Sequence, residues 1–315
     1  KAYKGTKSYQ SYAFAFNADR EILLLQKELA DGTYEPGNYA YFTIKKPKER
    51  IISVADFRDR VVHHALVNVM EPIYEKRFIY DSYATRKEKG THKAIARAQY
   101  FLRRTGYYLK MDVKKYFDSI DHGVLNNVIQ RKIKDKFILH LCEKIISKGG
   151  CGLKGLPIGN LTSQFFANVY LDMFDHFVKD ELKIKFYVRY MDDFCLFDEN
   201  KETLKMLRNR IKLFLNDVLR LNVKESATLV NSSLHGLPFL GVRIFPGTIR
   251  LIRENFKRSY AKLRINEWQF QNKHKEYRKY LSSAQSLTSH LNYWGGNLIK
   301  NRLYRSAVSK AGPTA

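Results

Sequence analysis

Three aspartates frame the possible chemistry. Asp112 sits near the end of an apolar run, and Asp192-Asp193 lie inside Phe186-Tyr187-Val188-Arg189-Tyr190-Met191-Asp192-Asp193-Phe194. Nucleotidyl transfer needs carboxylates from separate strands at one point, since two divalent ions about 3.5–4 Å apart activate a 3′-hydroxyl and neutralise a triphosphate. Mg²⁺ takes a few carboxylates and completes its shell with phosphate oxygens and water. Successive strand side chains face opposite ways, so Asp192 and Asp193 are equivalent ligands only if the tip leaves strand geometry. Asp112 and Asp192 therefore rank as principal metal bridges, with Asp193 third. A lone Asp-Asp is most often a polar hairpin turn, so its meaning depends on its surroundings.

Those surroundings are elements able to deliver the carboxylates. Tyr107 to Val113 reads as a strand bringing Asp112 to its end, and Phe186 to Phe197 as strand, turn and strand with Asp192-Asp193 at the centre. Upstream, Asp19 to Ala30 has a helical pattern, and strand-like runs Tyr39 to Ile44 and Arg50 to Val54 flank the basic turn Lys45-Lys46-Pro47-Lys48-Glu49. A helix opening at Asp56 should break near Pro72, and Thr91 to Arg104 forms another. Helices at about 121–132 and 135–147, a Gly-rich bend from Gly149 to Gly159, and a long helix at about 161–182 lie between the carboxylates. Helix 201–219 and strands near 226–230 and 239–245 would finish one mixed sheet, and from Ile252 the pattern is helical to the end.

Across the chain, 56 Lys and Arg against 31 Asp and Glu give a net charge of +25, which points to a polyanionic partner and first to nucleic acid. Basic residues run through most of the sequence, and no apolar run approaches the roughly 20 residues of a spanning helix, so a membrane partner is not expected. The first ten residues hold no apolar signal core. Cys142, Cys151 and Cys195 are an odd set without metal-type spacing and indicate no disulfide framework or zinc site. His63 and His64 are helix neighbours about 100° apart that cannot readily share a metal, and read as surface or packing residues.

The motif Tyr190-Met191-Asp192-Asp193 resembles the Y-x-D-D hairpin of reverse transcriptases, and Lys110-Met111-Asp112-Val113-Lys114-Lys115-Tyr116-Phe117 is similar to that family's first catalytic motif. Ser82-Tyr83-Ala84-Thr85-Arg86 with Gly90-Thr91-His92-Lys93-Ala94-Ile95 resembles a finger block of group II intron-like bacterial enzymes, and Leu237-Pro238-Phe239-Leu240-Gly241 resembles the primer grip. The resemblance implies an α+β right-hand polymerase: fingers over residues 1–105, a palm over 106–250 with inserted finger-side helices near 121–160, and a helical thumb over 251–315. It implies that Asp112, Asp192, Asp193 and the Val113 carbonyl hold two Mg²⁺ ions, with Mn²⁺ as a substitute.

It also assigns the nucleotide. Phe117, five residues after Asp112, stands at the family's sugar gate against a ribose 2′-hydroxyl; by residue type alone it is a core aromatic beside Tyr116. Lys46 and Arg50 match positions that clamp the triphosphate, with Lys45 the alternative to Lys46 if the turn is shifted, and the backbone amides of Lys115 and Tyr116 approach the same phosphates. Leu240, Gly241, Lys257 and Arg258 fall to the primer and template; the basic run from Arg253 to Arg264 would be a solvated face in an isolated helix. Lys224-Glu225-Ser226 departs from the usual Lys-Ser/Thr order, which leaves Lys224 without an assigned role.

The most informative segment is Gly155-Leu156-Pro157-Ile158-Gly159-Asn160-Leu161-Thr162-Ser163-Gln164. Most reverse transcriptases carry Gln-Gly and then Ser-Pro; Ile158-Gly159 and Ser163-Gln164 are instead similar to the enzymes of diversity-generating retroelements. That resemblance implies copying of a template-repeat RNA into cDNA through an RNA/cDNA duplex, from dNTPs, with misincorporation opposite adenine. It also implies an accessory variability determinant protein and a cytoplasmic setting in a bacterium, or coding by a phage or other mobile element. Ile158 lacks the amide that would police nucleotide geometry; the plainer reading is that Ile158 packs under the fingers and Gln164 caps a helix. Retron, abortive-infection and group II intron-type enzymes, or an RNA-binding relative without catalysis, are the alternatives.

Overall fold

The computed structural model describes residue 2 and residues 8–45, 49–150, 152–272, 274 and 276–286. It opens with helices α1 (Tyr9–Phe16) and α2 (Ala18–Ala30) and a hairpin of β1 (Ala40–Ile44) and β2 (Arg50–Val54). Helices α3 (Phe57–Glu75) and α4 (Thr91–Leu102) lead to β3 (Tyr107–Asp112), followed by α5 (Tyr116–Ser119), α6 (His122–Gln130), α7 (Lys136–Lys148) and α8 (Leu161–His176). Then come β4 (Phe186–Tyr190), β5 (Asp193–Asp198), α9 (Lys201–Asp217), β6 (Leu229–Ser232), β7 (Leu237–Phe239), β8 (Val242–Ile244), β9 (Ile249–Leu251) and α10 (Arg253–Gln271). This is the expected α+β class.

The strands form the β1-β2 hairpin, a four-stranded sheet in the order β4-β5-β3-β6, and a three-stranded sheet β7-β8-β9. The sheet order places the Asp112 strand beside the strand that begins at Asp193. Two compact units result. The first holds the described residues up to Ala94, Leu109–Leu196 and Glu202–Leu229; the second holds Ile95–Tyr108, Phe197–Lys201 and the described residues from Val230 onward.

Helix α8 is the spine of the first unit. Phe165, Phe166, Ala167, Val169, Tyr170, Leu171 and Phe174 are all buried, and the helix packs on α3 and α6. Each Phe, Val or Leu among them contributes about 1.5–3 kcal/mol when fully buried. The Phe174 ring lies 4.7 Å from that of Phe194, which ties α8 to β5. Phe177 stacks on Phe214 at 4.0 Å in a π-helical turn, Phe177–Glu181, that finishes the long helix.

Several sequence expectations need correction. Helix α3 passes Pro72 and ends only at Glu75, because Tyr74 beyond the proline is buried with its ring 5.6 Å from that of Phe165. That packing offsets the lost N–H. The strand expected over 239–245 is two strands, since Leu240 (φ +49°) and Gly241 (φ +86°) turn the chain, and β7 to β9 form their own antiparallel sheet instead of completing the larger one. Helix α1 was not foreseen. Ser8 and Ser11 cap it reciprocally, at 3.2 and 3.1 Å, while Tyr9, Tyr12 and Phe16 stay exposed and Phe14 alone among its aromatics packs inward, 5.2 Å from the Phe57 ring, too little of an apolar face to read.

Cys142 and Cys195 are buried free thiols, and Cys151 lies outside the described residues. No helix among the described residues is long and apolar enough to cross a membrane.

Candidate active site

Asp112 ends β3, and its neighbours are fixed on both sides. The Val113 amide donates to the Asp192 carbonyl at 3.2 Å, so the Asp112 strand end and the hairpin tip meet there. On the other side the Lys224 amide donates to the Asp112 carbonyl and the Lys114 amide to the Asn222 carbonyl, each at 2.8 Å. Those two bonds flank the Val113–Val223 bridge, which leaves the Val113 carbonyl outside that exchange.

The tip itself departs from strand geometry, as Met191 adopts φ +56° between β4 and β5. Asp193 then turns to Lys110, whose Nζ lies 3.2 Å from its Oδ2. Its Oδ1 is buried without a hydrogen-bond partner. Burial pushes the Asp193 carboxyl up to about 7, against Lys110 and with the repulsion of Asp112 and Asp192. Burial alone would lower Lys110, yet Asp193, with Cys195 and Asp112, outweighs it and holds the amine above its ordinary value. Asp112 and Asp192 thus both repel the Asp193 carboxylate, one of whose oxygens is unsatisfied, the environment a cation relieves. Among the described residues no three His, Cys, Asp or Glu side chains form a complete metal-holding set.

A residue that sequence reasoning passed over supports this hairpin. Arg189 is fully buried, its Nη2 2.5 Å from Asp175 Oδ2 and its Nε 2.7 Å from Asp175 Oδ1. From Nη1 it donates to Asn168 Oδ1 at 3.1 Å and to the Met191 carbonyl at 3.2 Å, gripping the turn that presents Asp192. Tyr187 donates to the same Asp175 at 2.8 Å. Asn168 donates in turn to the Ala84 carbonyl and Thr85 Oγ1, both at 2.8 Å, and the Tyr83 amide donates to the Arg189 carbonyl at 3.0 Å. The segment Ser82 to Arg86 is therefore wired to the β4-β5 hairpin. The available signal was an Arg inside an apolar strand motif, since a buried charge needs partners.

Lys115 adopts a left-handed conformation (φ +47°) that swings the chain from β3 into α5. Tyr116 is buried, its hydroxyl donating to the Ala167 carbonyl at 2.5 Å. Phe117 is half-buried, its ring 5.7 Å from that of Tyr116 and edge-on to it, so it is not the fully buried core aromatic its residue type suggested. The Phe117 carbonyl accepts from the Leu156 amide at 2.8 Å, which straps the Gly155–Gly159 segment to α5.

That segment reaches the β1-β2 hairpin at its other end. The Ser53 amide donates to the Ile158 carbonyl at 2.8 Å. Gly159 takes φ +120°, and a Cβ there would come within 2.9 Å of the Ser53 carbonyl. Only glycine combines that backbone angle with so close an approach. Ile158 is half-buried, and Gln164 lies half-buried in the first turn of α8. Asn160, not Gln164, is the N-cap residue. Arg50 is exposed at the start of β2, opposite Ile44; Lys46 lies outside the described residues.

The primer and template candidates fall in the second unit. The Leu240-Gly241 turn is bound to the start of α10 by Asn255, whose Nδ2 donates to the Gly241 carbonyl at 3.0 Å. Arg258 donates to the Oδ1 of that Asn255, and Lys257 beside it is exposed.

The chain is similar to known proteins in sequence and in fold. A family model described as reverse transcriptase (RNA-dependent DNA polymerase) matches residues 44–244. Protein YkfC of Escherichia coli K12 is 27% identical over 270 residues, covering 71% of each chain. The group II intron-encoded protein LtrA of Lactococcus lactis is 25% identical over 300 residues, 72% of this chain and 50% of its own. The chain thus spans about half the length of that relative. Among solved structures, apo telomerase from Candida tropicalis aligns with a TM-score of 0.55 at 14% identity, over 71% of this chain and 50% of that one. The same enzyme with a fragment of telomeric RNA gives 0.56 at 13%, over 85% and 56%. These structures share the fold. With the family model spanning well over half of its length, this chain belongs to the reverse transcriptase family, the RNA-directed DNA polymerases.

Proposed function

We propose that this chain is the reverse transcriptase of a diversity-generating retroelement, copying a template-repeat RNA into cDNA with frequent error at template adenines. Ile158-Gly159 with Ser163-Gln164 carries the reading. Ile158 sits on the strap between α5 and β2, where most family members have an amide-bearing Gln, so its side chain offers shape but no hydrogen bond to the incoming nucleotide.

In this reading residues 1–105 serve as fingers, 106–250 as palm and 251–315 as thumb. Asp112, Asp192 and the Val113 carbonyl are the groups that would hold divalent ions, Mg²⁺ or in its place Mn²⁺, with Asp193 third. When bound, such ions neutralise the triphosphate and activate the primer hydroxyl. Lys46 and Arg50 contact the triphosphate, Lys115 and Tyr116 offer backbone amides, Phe117 excludes a 2′-hydroxyl, and Ile158 with Gln164 lines the base-pair pocket. Leu240, Gly241, Lys257 and Arg258 guide the primer and template. The partners are the template RNA, the RNA/cDNA duplex and an accessory variability determinant protein.

Primer extension on a defined RNA with Mg²⁺ and dNTPs tests both levels. Extension should be lost in Asp192→Ala, and Ile158→Gln should reduce misincorporation opposite adenine without raising it elsewhere. An unchanged error spectrum in Ile158→Gln removes the retroelement assignment. The intron-type reading, favoured by the similarity to LtrA, predicts low error at adenine already in the wild-type chain.

A further inference from the structure

The strap and the finger hairpin share a second bond that is not a backbone pairing. Asn160 is almost fully buried, and its Nδ2 donates to the Ser53 carbonyl at 3.2 Å. Asn160 is also the N-cap residue of α8, yet its side chain makes no capping bond. An asparagine at this position ordinarily turns its side-chain oxygen to the helix amides. Here the amide instead reaches across to β2.

Ser53 is thereby held twice. Its amide donates to the Ile158 carbonyl and its carbonyl accepts from Asn160, with the bare Gly159 between them. Arg50 lies three residues before Ser53 on β2. At its other end the strap is bound to α5, where Leu156 donates to the Phe117 carbonyl and Gly155 to the Ile120 carbonyl, both at 2.8 Å. Phe117, Ile158 and Arg50 are thus linked through one short segment whose side-chain clasp on the finger side, beside the Ile158–Ser53 backbone bond, is Asn160.

We infer that Asn160 is a positioning residue for the incoming nucleotide, clasping the β1-β2 hairpin to the Gly155–Asn160 strap so that the triphosphate and base-pair contacts are held in one geometry. The inference rests on the nucleotide roles proposed for Arg50, Phe117 and Ile158, and is independent of whether synthesis is error-prone. Without the clasp the hairpin samples positions away from the strap, so nucleotide affinity falls while the chemistry at the carboxylates is unchanged.

Asn160→Asp is the direct probe, since it keeps size and capping ability but replaces the donor by an oxygen facing the Ser53 carbonyl. Gly159→Ala attacks the same joint from the other side by placing a Cβ against Ser53. Ser53→Ala is the control, because both bonds to Ser53 use its backbone. In the full chain, hydrogen exchange of residues 50–54 should accelerate about tenfold in Asn160→Asp, the scale of one lost hydrogen bond, and stay unchanged in Ser53→Ala. In primer extension, KM for dNTP should rise about tenfold in Asn160→Asp and Gly159→Ala, with kcat and template–primer Kd within about twofold of wild type.

Unaltered exchange at 50–54 in Asn160→Asp overturns the clasp. Faster exchange with an unchanged KM overturns the positioning role, as does a fall confined to kcat. A wild-type error spectrum that is low at adenine removes the retroelement reading and leaves these comparisons intact.

Discussion

Arg189 shows how much of a proposed catalytic motif lies beneath its named residues. The carboxylates are readable because their chemistry dictates their type, but the turn that presents Asp192 depends on a buried cation reaching back to the Met191 carbonyl. Losing one partner of such a buried pair costs about 3–5 kcal/mol, because the other charge is left uncompensated. Asp175→Asn should therefore lower unfolding free energy by about that amount in urea titration. A loss below about 1 kcal/mol, typical of an exposed pair, would show that the network is dispensable to the fold. Arg189→Lys separates stability from presentation. A lysine keeps the charge beside Asp175 but cannot reach Asn168 and Met191 at once, so the extension rate should fall about tenfold or more while the chain stays folded. Equal rates for Arg189→Lys and wild type would count against the grip on the hairpin.

Among the elements, legibility followed the apolar pattern of the sequence, even where, as in β1, the strand is exposed. Helices α2, α4, α6, α7 and α9 and strands β1 to β5 have apolar faces or runs, and their expected bounds lie within a few residues of those observed. Elements whose position is set by distant packing are harder to read: α3 crosses Pro72 because Tyr74 is held by Phe165, and α1 exposes Tyr9, Tyr12 and Phe16 while only Phe14 packs inward, on Phe57. Of the site, the aspartates, Phe117 and the strap were legible as motifs. Asn160 and Arg189 were not, since their partners lie 107 and 14 residues away and only the fold brings them together. Helix α3 carries a testable consequence. His63 is 1% exposed with neither ring nitrogen bonded, and burial, with the charge of His64, lowers its pKa to about 4. The unfolded chain then binds the extra proton between about pH 6.5 and 4, so stability is full above that window and is lost as pH falls through it. The loss should reach about 3 kcal/mol by about pH 4, an order-of-magnitude figure from the width of the window. Urea midpoints of wild type and His63→Leu compared at both ends will show it: wild type should lose that much more, and parallel curves would mean that His63 titrates normally in the fold.

For the molecule as a whole, the net charge of +25 matters more than any single contact. Lys257 and Arg258 stand exposed on α10 one turn beyond Asn255, which anchors that helix to the Leu240-Gly241 turn. A surface of this kind binds nucleic acid through phosphates and carries little sequence information by itself. Its signature is counterion release. With six to ten phosphate contacts, affinity for an RNA/DNA template–primer should drop by roughly 10³–10⁵ between about 50 and 200 mM salt. Fluorescence anisotropy across a salt series gives the slope directly. Lys257→Ala should weaken binding to all template sequences alike and reduce the slope by about 1, the share of one phosphate contact. A slope unchanged in Lys257→Ala would remove α10 from the nucleic-acid surface, and a flat salt dependence in the wild-type chain would mean that the excess charge serves something other than the template–primer.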